Sequence, residues 1–167
     1  MLDIAGRIVG WAESGEQVEA VIVHERETEV RAYEGEVESL TAAESRGVGV
    51  RVVRDGRQGF AYAGTLDPDA LAEVLREARD NLGFATPDEH CALAEPDGVA
   101  PAEMDLYRAS VLDHPTDAKV QLALDLESLT RSADHRISGV ESAKYSDSVS
   151  ENAVATTTGI RSASRET

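Results

Sequence analysis

Residues 48–62 read VGVRVVRDGRQGFAY, and this stretch predicts the centre of the fold. Valine occupies every second position from 48 to 52, which indicates a strand with one buried face. Asp55-Gly56 then separates this run from a second β-rich run, and an Asp-Gly pair in that position is a strong signal for a tight hairpin turn. The second run, residues 58–62, therefore returns beside the first as a β-hairpin.

A strong helix signal follows the hairpin at Asp67-Pro68-Asp69. Asp67 can cap free amides, proline has no amide to leave unsatisfied at the first helical position, and Asp69 suits the positive end of a helix. Gly83 is placed to end this helix after Leu82. The apolar positions share one face and are Ala70, Leu71, Val74, Leu75, Ala78 and Leu82.

The segments on either side of this centre predict further elements. Apolar residues at helical spacing indicate an amphipathic helix over residues 2–13. Two β-rich runs, 18–24 and 28–33, flank the charged Glu25-Arg26-Glu27 and predict another hairpin.

The second half of the chain begins with an irregular stretch, because prolines interrupt residues 84–115. Thr116 then caps a helix that runs to Asp134. Two strands, 137–145 and 149–158, are expected around a Ser-Asp-Ser turn. Residues 160–167 neither complete an element nor resemble a tail, so we expect the chain to continue into a C-terminal domain. The apolar face of the helix consists of Ala118, Leu122, Leu126, Leu129 and Ala133.

Together these signals predict an α+β fold, an antiparallel-rich β-sheet backed by amphipathic helices. We expect three parts along the chain. Residues 1–83 form a helix, two hairpins and a helix, residues 84–115 form the connector, and residues 116–167 form a helix and a hairpin.

Composition excludes several classes of function. The chain has 167 residues, 41% apolar and 29% charged, which is typical of a globular protein with a sizeable core. It carries 16 basic against 32 acidic residues, a net charge of −16. Such a field repels phosphate backbones and anionic lipid, so we expect no nucleic-acid and no membrane partner. One cysteine and the lack of a leader pattern favour a cytoplasmic location.

Two short segments contain residues of the types that bind metals, but not at the spacing that a metal site requires. His24-Glu25 begins like a zinc-protease helix, but Thr28 and Glu29 stand where the second histidine is required. Glu89-His90-Cys91 gathers three donors in a loop, yet neighbours in sequence seldom converge on one metal. We therefore predict no catalytic, cofactor-binding or metal-binding residue in this chain.

Cys91 has an alternative interpretation as a nucleophile served by His114 or His135. The sequence does not establish that pairing. Acidic neighbours disfavour a thiolate, which favours a passive thiol over a small cysteine hydrolase.

The glycines in Gly47-Val48-Gly49 begin like a nucleotide-binding fingerprint, but the third glycine is missing and the segment enters a strand. Close packing of the strand is the preferred role. Arg51 lies on the face opposite the valines, where it forms an ion pair or an interface contact, or else contacts a peptide carboxylate.

An acidic strand face could favour cationic partners, although a solvated surface explains it equally well. An exposed sheet edge could also capture an extended peptide as an added strand, a site that needs no side-chain motif. The acidic residues are Glu25, Glu27, Glu29, Glu34, Glu36 and Glu38.

The order of several phrases resembles the N-terminal domain of the TldD/PmbA family. The resemblance covers nearly the whole chain, and the phrases lean towards the PmbA-like branch. They are GEVES at 35–39, RGVGVRV at 46–52, GRQGFA at 56–61, the helix from Asp67, DHRI at 134–137 and TTTG at 156–159.

This resemblance implies a bacterial cytoplasmic zinc metallopeptidase that matures peptide antibiotics and degrades antitoxins. The N-terminal α/β layer of the family helps to enclose a substrate chamber, whereas a His-Glu-x-x-x-His helix and a later cysteine in the C-terminal half bind zinc. Nothing in this chain matches that helix, so no catalytic residue carries over. The PmbA-like branch resembles a metal-lacking subunit that pairs with a TldD-like catalytic one.

From the resemblance we predict a non-catalytic part of a peptide-processing enzyme, contributing to the substrate chamber and to subunit association. The implied partners are a peptide substrate and a TldD/PmbA-type subunit in a homo- or heterodimer, with zinc held in a C-terminal domain or by the partner. The alternative is a free-standing peptide-binding or adaptor module without protease activity.

Overall fold

The structure is a computed structural model that describes residues 1–100 and 102–167. One antiparallel sheet has the strand order β3-β2-β1-β4-β5, and helices accompany it, which confirms the predicted α+β class. The elements are α1 (Leu2–Val9), β1 (Gln17–Tyr33), β2 (Glu36–Arg54), β3 (Arg57–Ala63), α2 (Pro68–Leu82), a 3₁₀ turn (Ala109–Val111), α3 (Thr116–Ala133), β4 (Ala143–Thr156) and β5 (Arg161–Glu166).

The central hairpin and the helix after it are confirmed. β2 pairs with β3 from Val48↔Ala63 to Arg54↔Arg57, so Asp55-Gly56 forms a two-residue turn. Both turn residues have positive φ, 52° and 69°, as this type of turn requires. The helix α2 ends at Leu82, although Asp67 makes no side-chain capping bond and only its carbonyl accepts the first helical hydrogen bond.

The hairpin predicted within residues 18–33 is wrong, because β1 is one continuous strand of 17 residues. The Glu25-Arg26-Glu27 segment contains no residue that favours a turn, and its side chains remain at the surface of the strand. The chain reverses instead at Glu34-Gly35, where φ is 55° and 82°. Glycine at the second position gives the turn its left-handed backbone at no steric cost.

The two strands predicted around Ser146-Asp147-Ser148 are likewise one strand, β4. The reversal comes later, at Gly159, with φ of 105°. The residues after this turn form β5, which the sequence did not predict. α1 is also shorter than predicted and ends at Val9, before Gly10.

The chain forms two compact units, each built from separate segments. Unit 1 comprises Met1–His24, Ser45–Asp105 and Glu151–Arg165. Unit 2 comprises Glu25–Glu44, Leu106–Ser150 and Glu166–Thr167. Unit 1 contains the larger core, in which α1 and α2 cover the inward side chains of the strands. The buried members include Ile8, Val18, Ile22, Val50, Val52, Leu71, Leu75 and Ala153.

α2 and β3 lie very close together at Gly59. A Cβ atom at Gly59 would lie 1.9 Å from the carbonyl oxygen of Ala78 and 2.8 Å from the amide nitrogen of Leu82. Both neighbours are backbone atoms, so a rotamer change cannot relieve the clash. Only glycine allows the helix to lie this close to the strand.

A buried carboxylate at the edge of unit 1 connects α2 to the segment before β1. The Glu16 side chain has no exposed surface, and Arg79 donates to it from Nε at 3.0 Å and from Nη2 at 2.9 Å. The amide of Glu13 donates to the same carboxylate, and Arg54 lies 3.6 Å away. Burial alone would raise the pKa of Glu16, but the hydrogen bonds and the positive charges outweigh it and lower the pKa.

In unit 2 the face of α3 that is buried is not the predicted apolar face. Leu122, Leu126 and Leu129 are exposed by 54%, 50% and 68%, whereas Lys119 and Glu127 are buried. Periodicity identified the leucines correctly as one stripe, but it carries no information on which stripe meets the sheet. The expected packing of Ala118, Leu122, Leu126, Leu129 and Ala133 as the buried face is therefore wrong.

Specific partners explain the buried charges of α3. Glu127 Oε2 accepts a 2.9 Å hydrogen bond from the amide of Gly35 and thus ties the helix to the β1–β2 turn. Lys119 Nζ lies 2.7 Å from Asp147 on β4 and 3.3 Å from the hydroxyl of Thr28 on β1. Arg131 Nη1 also lies 4.0 Å from Glu127 Oε1, so each buried charge has an opposite charge near it within unit 2, which makes burial tolerable.

The segment between α2 and α3 has no regular element except the 3₁₀ turn, as far as its described residues show. Pro101, one of the prolines that predicted this irregularity, lies outside them. Among residues 1–100 and 102–167, no helix combines the length and the apolar character that a membrane crossing requires.

We expect Gly59→Ala to lower the free energy of unfolding by at least about 1–3 kcal/mol, because strand and helix must separate to admit the methyl group. Thermal unfolding followed by circular dichroism measures the loss. Gly64→Ala is the matched control, since nothing lies within 4 Å of the position that its added methyl group would take. Equal melting temperatures for the two variants would contradict the close approach.

We expect Glu16→Gln to destabilise the chain at neutral pH by about 1–3 kcal/mol, because charged hydrogen bonds to Arg79 are lost. The pKa of Glu16 is lower in the folded chain than in the unfolded chain. Its contribution to the free energy of unfolding is therefore complete above the pKa of the unfolded chain and is lost as the pH falls through the pKa of the folded chain. Urea unfolding at pH 7 and at pH 3 should show the gap between the two proteins narrowing at the acid pH. A gap that widens there would contradict this assignment.

We expect Glu127→Ala to cost about 1–3 kcal/mol, because the amide of Gly35 loses its buried acceptor. Leu126→Ser, on the exposed stripe one residue earlier, should change stability by less than about 0.5 kcal/mol. Urea midpoints of the two variants compare them directly. A larger loss of stability in Leu126→Ser than in Glu127→Ala would indicate that the leucine face is the buried one.

Candidate functional site

The sheet of unit 1 has a second face, opposite α1 and α2, on which most side chains are partly buried or exposed and Val53 is buried. We call it the open face. Its residues alternate with the core residues along each strand, as the pleat of a strand requires. They are Glu19, Val21, Val23, Gly49, Arg51, Phe60, Tyr62 and Val154.

An aromatic pair lies at one margin of the open face. Phe60 and Tyr62 on the edge strand β3 are 55% and 76% exposed, and their rings stack with centroids 6.3 Å apart. The ring of Phe60 lies over Gly49, where an added Cβ would be 3.3 Å from Cε2. The glycine therefore allows the aromatic ring to lie flat on the neighbouring strand, the packing role predicted for Gly47 and Gly49.

Arg51 lies on the open face and forms an ion pair with the neighbouring strand. Its Nε donates to Glu19 Oε1 at 3.1 Å, and both side chains are partly exposed. The ion-pair interpretation is therefore confirmed. The alternative, contact with a peptide carboxylate, remains a prediction.

The outer edge of β3 borders a groove beside α2. We call it the edge groove. The side-chain amide of Asn81, which lines this groove, donates to the carbonyl oxygen of Phe60 at 2.9 Å. Its lining residues are Phe60, Ala61, Tyr62, Arg76, Glu77, Asp80 and Asn81.

Acidic side chains dominate the helical wall of the edge groove. Arg76 binds Glu73 through two guanidinium nitrogens and Asp80 through Nη1 at 2.6 Å. The hydrogen bond from Arg76 lowers the pKa of Glu73. Three carboxylates, with Glu77, therefore surround one guanidinium on this part of α2, and the wall is net negative.

The predicted absence of a zinc site was based on His24-Glu25 and Glu89-His90-Cys91. His24 lies within β1, with Nδ1 3.8 Å from Glu151. Glu89 and His90 are almost fully exposed in the connector. In the described ranges, 1–100 and 102–167, no three His, Cys, Asp or Glu side chains converge as a metal site would require. These residues therefore do not fit a zinc ion.

Cys91 is partly buried in the connector of unit 1, where its amide donates to the carbonyl of Asp88. His114 and His135 are exposed and belong to unit 2. Pairing of the thiol with either histidine stays a hypothesis from sequence.

The six residues of the predicted acidic strand face, Glu25 to Glu38, lie in unit 2, with Glu34 in the turn between the strands. Two of them are neutralised by neighbours, since Arg31 Nε lies 2.6 Å from Glu38 and Lys144 forms an ion pair with Glu29. A solvated strand face accounts for this pattern.

A polar cluster surrounds Asp147 in the same unit. Besides Lys119, the phenol of Tyr145 interacts with this carboxylate. Burial, together with Asp147, raises the pKa of Tyr145 to about 12. The cluster holds α3 to the sheet with paired charges, and it is structural.

Sequence reasoning missed the aromatic pair and Asn81. The alternation of Gly59 and Ala61 with Phe60 and Tyr62 could have predicted the aromatic pair. Small residues on one face of a strand favour close packing of a helix there, so the two aromatic side chains point to the other face. Asn81 gives no such signal, since only the folded backbone brings it to Phe60.

Comparisons with known proteins identify the family. The model for "PmbA/TldA metallopeptidase domain 1" matches residues 18–82, and the model for the "PmbA/TldA metallopeptidase central domain" matches residues 110–167. Metalloprotease PmbA of Escherichia coli O157:H7 is 32% identical over 117 residues, 66% of this chain and 25% of that protein. An uncharacterized protein of Methanocaldococcus jannaschii is 30% identical over 102 residues, 59% of this chain and 24% of that protein. The chain thus spans about a quarter of the length of these relatives.

Solved structures share the fold. TldE from Thermococcus kodakarensis has a TM-score of 0.79 at 17% identity, covering 99% of this chain and 36% of its own. A Bacteroides thetaiotaomicron protein described as a candidate modulator of DNA gyrase has a TM-score of 0.83 at 18% identity, covering 98% of this chain and 38% of its own. The two family models follow one another along most of the sequence, and the chain belongs to the PmbA/TldD metallopeptidase family.

Proposed function

We propose that this chain is the non-catalytic, N-terminal part of a TldD/PmbA-type metallopeptidase that processes or degrades peptides in the cytoplasm. Its role is to form a wall of the substrate chamber and to associate with a second subunit. The observation that carries the proposal is the open face, an ordered and partly apolar sheet surface in a chain of this family.

The chemistry of the open face suits association. Phe60 and Tyr62 present large aromatic surfaces at low conformational cost, because the two rings stack on each other and the ring of Phe60 also lies against Gly49. The Arg51–Glu19 pair adds a polar group that can orient a partner. Aromatic and arginine side chains of this kind are enriched where protein surfaces bind one another.

Cleavage of a peptide bond would then depend on groups outside this chain. We propose that zinc is held by a C-terminal domain or by a TldD-type subunit, in a homo- or heterodimer. The residues described above supply surface, charge and shape. The alternative function, a free-standing peptide-binding or adaptor module, requires neither zinc nor a second subunit.

We expect Phe60→Ser combined with Tyr62→Ser to weaken association with a purified TldD-type subunit by at least about tenfold, because an aromatic anchor is lost. Light scattering after size exclusion and calorimetric titration measure the binding, and melting temperatures confirm folding. Phe84→Ser is the matched control, since Phe84 is 89% exposed and lies off the open face.

Peptidase assays complete this test. The chain alone should cleave no peptide, whereas its mixture with the TldD-type subunit should do so until a chelator removes the zinc. Cleavage by the chain alone would contradict the non-catalytic role. Failure of the subunits to associate would favour the free-standing module.

A further inference from the structure

The hairpin register determines which backbone groups of β3 face away from the sheet. In a hairpin with a two-residue turn, the residues flanking the turn form a hydrogen-bonded pair, here Arg54 and Arg57. Alternate residues of β3 repeat this pairing with β2. The residues between them, Gln58, Phe60 and Tyr62, therefore point their N–H and C=O groups outward.

The hydrogen bond from Asn81 confirms this orientation, because it reaches the Phe60 carbonyl from outside the sheet. β3 is an edge strand, and in residues 1–100 and 102–167 no backbone group beyond β2 bonds to Gln58 or Tyr62. Apart from the Phe60 carbonyl, which accepts from Asn81, these outward backbone groups form a template for another strand.

We propose that the edge groove binds an extended peptide as an additional strand beside β3, with alternating basic and apolar side chains. The inference rests on the proposed peptide-processing function and specifies the class of peptide. Peptide capture on a sheet edge takes its affinity from main-chain hydrogen bonds and its specificity from the surfaces that receive alternate side chains.

The two walls of the groove differ in chemistry, and this difference selects the pattern. One set of alternate side chains would face α2, where Glu77 and Asp80 outnumber the single base, Arg76. Because Arg76 already binds Asp80, Glu77 is the carboxylate that a lysine or arginine of the peptide would meet. The other set would lie against the rings of Phe60 and Tyr62 on the open face, so an aliphatic residue fits there. Successive residues of a strand point to opposite faces, so a peptide with this alternation satisfies both walls at once.

Asn81 occupies the place that the middle of the added strand would take. Its amide satisfies the Phe60 carbonyl and keeps part of the edge closed to other strands, a protection that natural edge strands need. A peptide amide can replace this contact. Asn81 is therefore a positioning residue that limits which peptides add to β3.

The test uses a fluorescent peptide that alternates lysine and valine, with binding to the chain measured by anisotropy. A peptide of the same composition with all lysines first and all valines last controls for attraction to a protein of net charge −16. We expect the alternating peptide to bind at least about tenfold more tightly. N-methylation of the residues that bond to β3 should abolish binding, whereas N-methylation of the residues between them should not.

Variants locate the site. Asn81→Ala should increase affinity by about threefold to tenfold, because it frees the Phe60 carbonyl. Glu77→Gln should weaken binding of the alternating peptide, whereas Asp69→Asn at the start of the same helix should not, since Asp69 does not line the groove. Equal binding of the alternating and block peptides, or indifference to the position of N-methylation, would overturn the proposal.

Association with the TldD-type subunit, measured on the same preparations, separates the two hypotheses. If association persists and the alternating peptide shows no preference, the edge site is wrong and the proposed function stands. If the peptide binds as expected and association fails, the edge site stands and the chain acts as the free-standing module.

Discussion

The backbone contact between Gly59 and Ala78 is the constraint on which the architecture of unit 1 depends. Because the strand has no side chain at this point, α2 lies directly on β3 and its apolar face covers the inner side of the sheet. The pleat then forces Phe60 and Tyr62 to the other side. The same close packing brings the last turn of α2 to the edge of the strand, where the side-chain amide of Asn81 donates to the carbonyl of Phe60. The absence of a side chain at Gly59 thus affects the packing of the core, the orientation of the open face and the position of the groove.

The parts of the fold that the sequence predicts are those with local causes. The Asp55-Gly56 turn and the helix from Pro68 to Leu82 follow from residues close to one another, and both are confirmed. The long strands β1 and β4 were each predicted as two because charged residues in mid-strand resemble a loop. Charges are tolerated there because those side chains reach solvent or an opposite charge, as Asp147 does with Lys119. Such partners lie far away in sequence.

The face of α3 was mispredicted for a related reason. Hydrophobic periodicity assumes that the stripe with the most leucines faces the sheet. The stripe that faces inward is instead a mixed one, in which Ala123 packs in the core of unit 2, Glu127 binds the amide of Gly35 and Lys119 pairs with Asp147. The candidate site likewise has one feature that local sequence predicts and one that depends on the folded chain. The Arg51 ion pair could be anticipated from strand alternation, whereas Asn81 gained its role only through the close approach of α2.

The two compact units are interleaved along the chain, because β1, β2 and β4 each contribute residues to both. Neither unit corresponds to a continuous stretch of sequence, and the matched family segments, 18–82 and 110–167, do not coincide with them. During synthesis on the ribosome, the first half of β1 must therefore wait for the end of β4 before the core of unit 1 can close. The second half must wait for the start of β4 before the core of unit 2 can close. A nascent chain would expose the long edge of β1 throughout that interval. Translation speed and chaperone access should therefore affect the yield of this protein more strongly than the yield of a protein whose units follow one another in sequence.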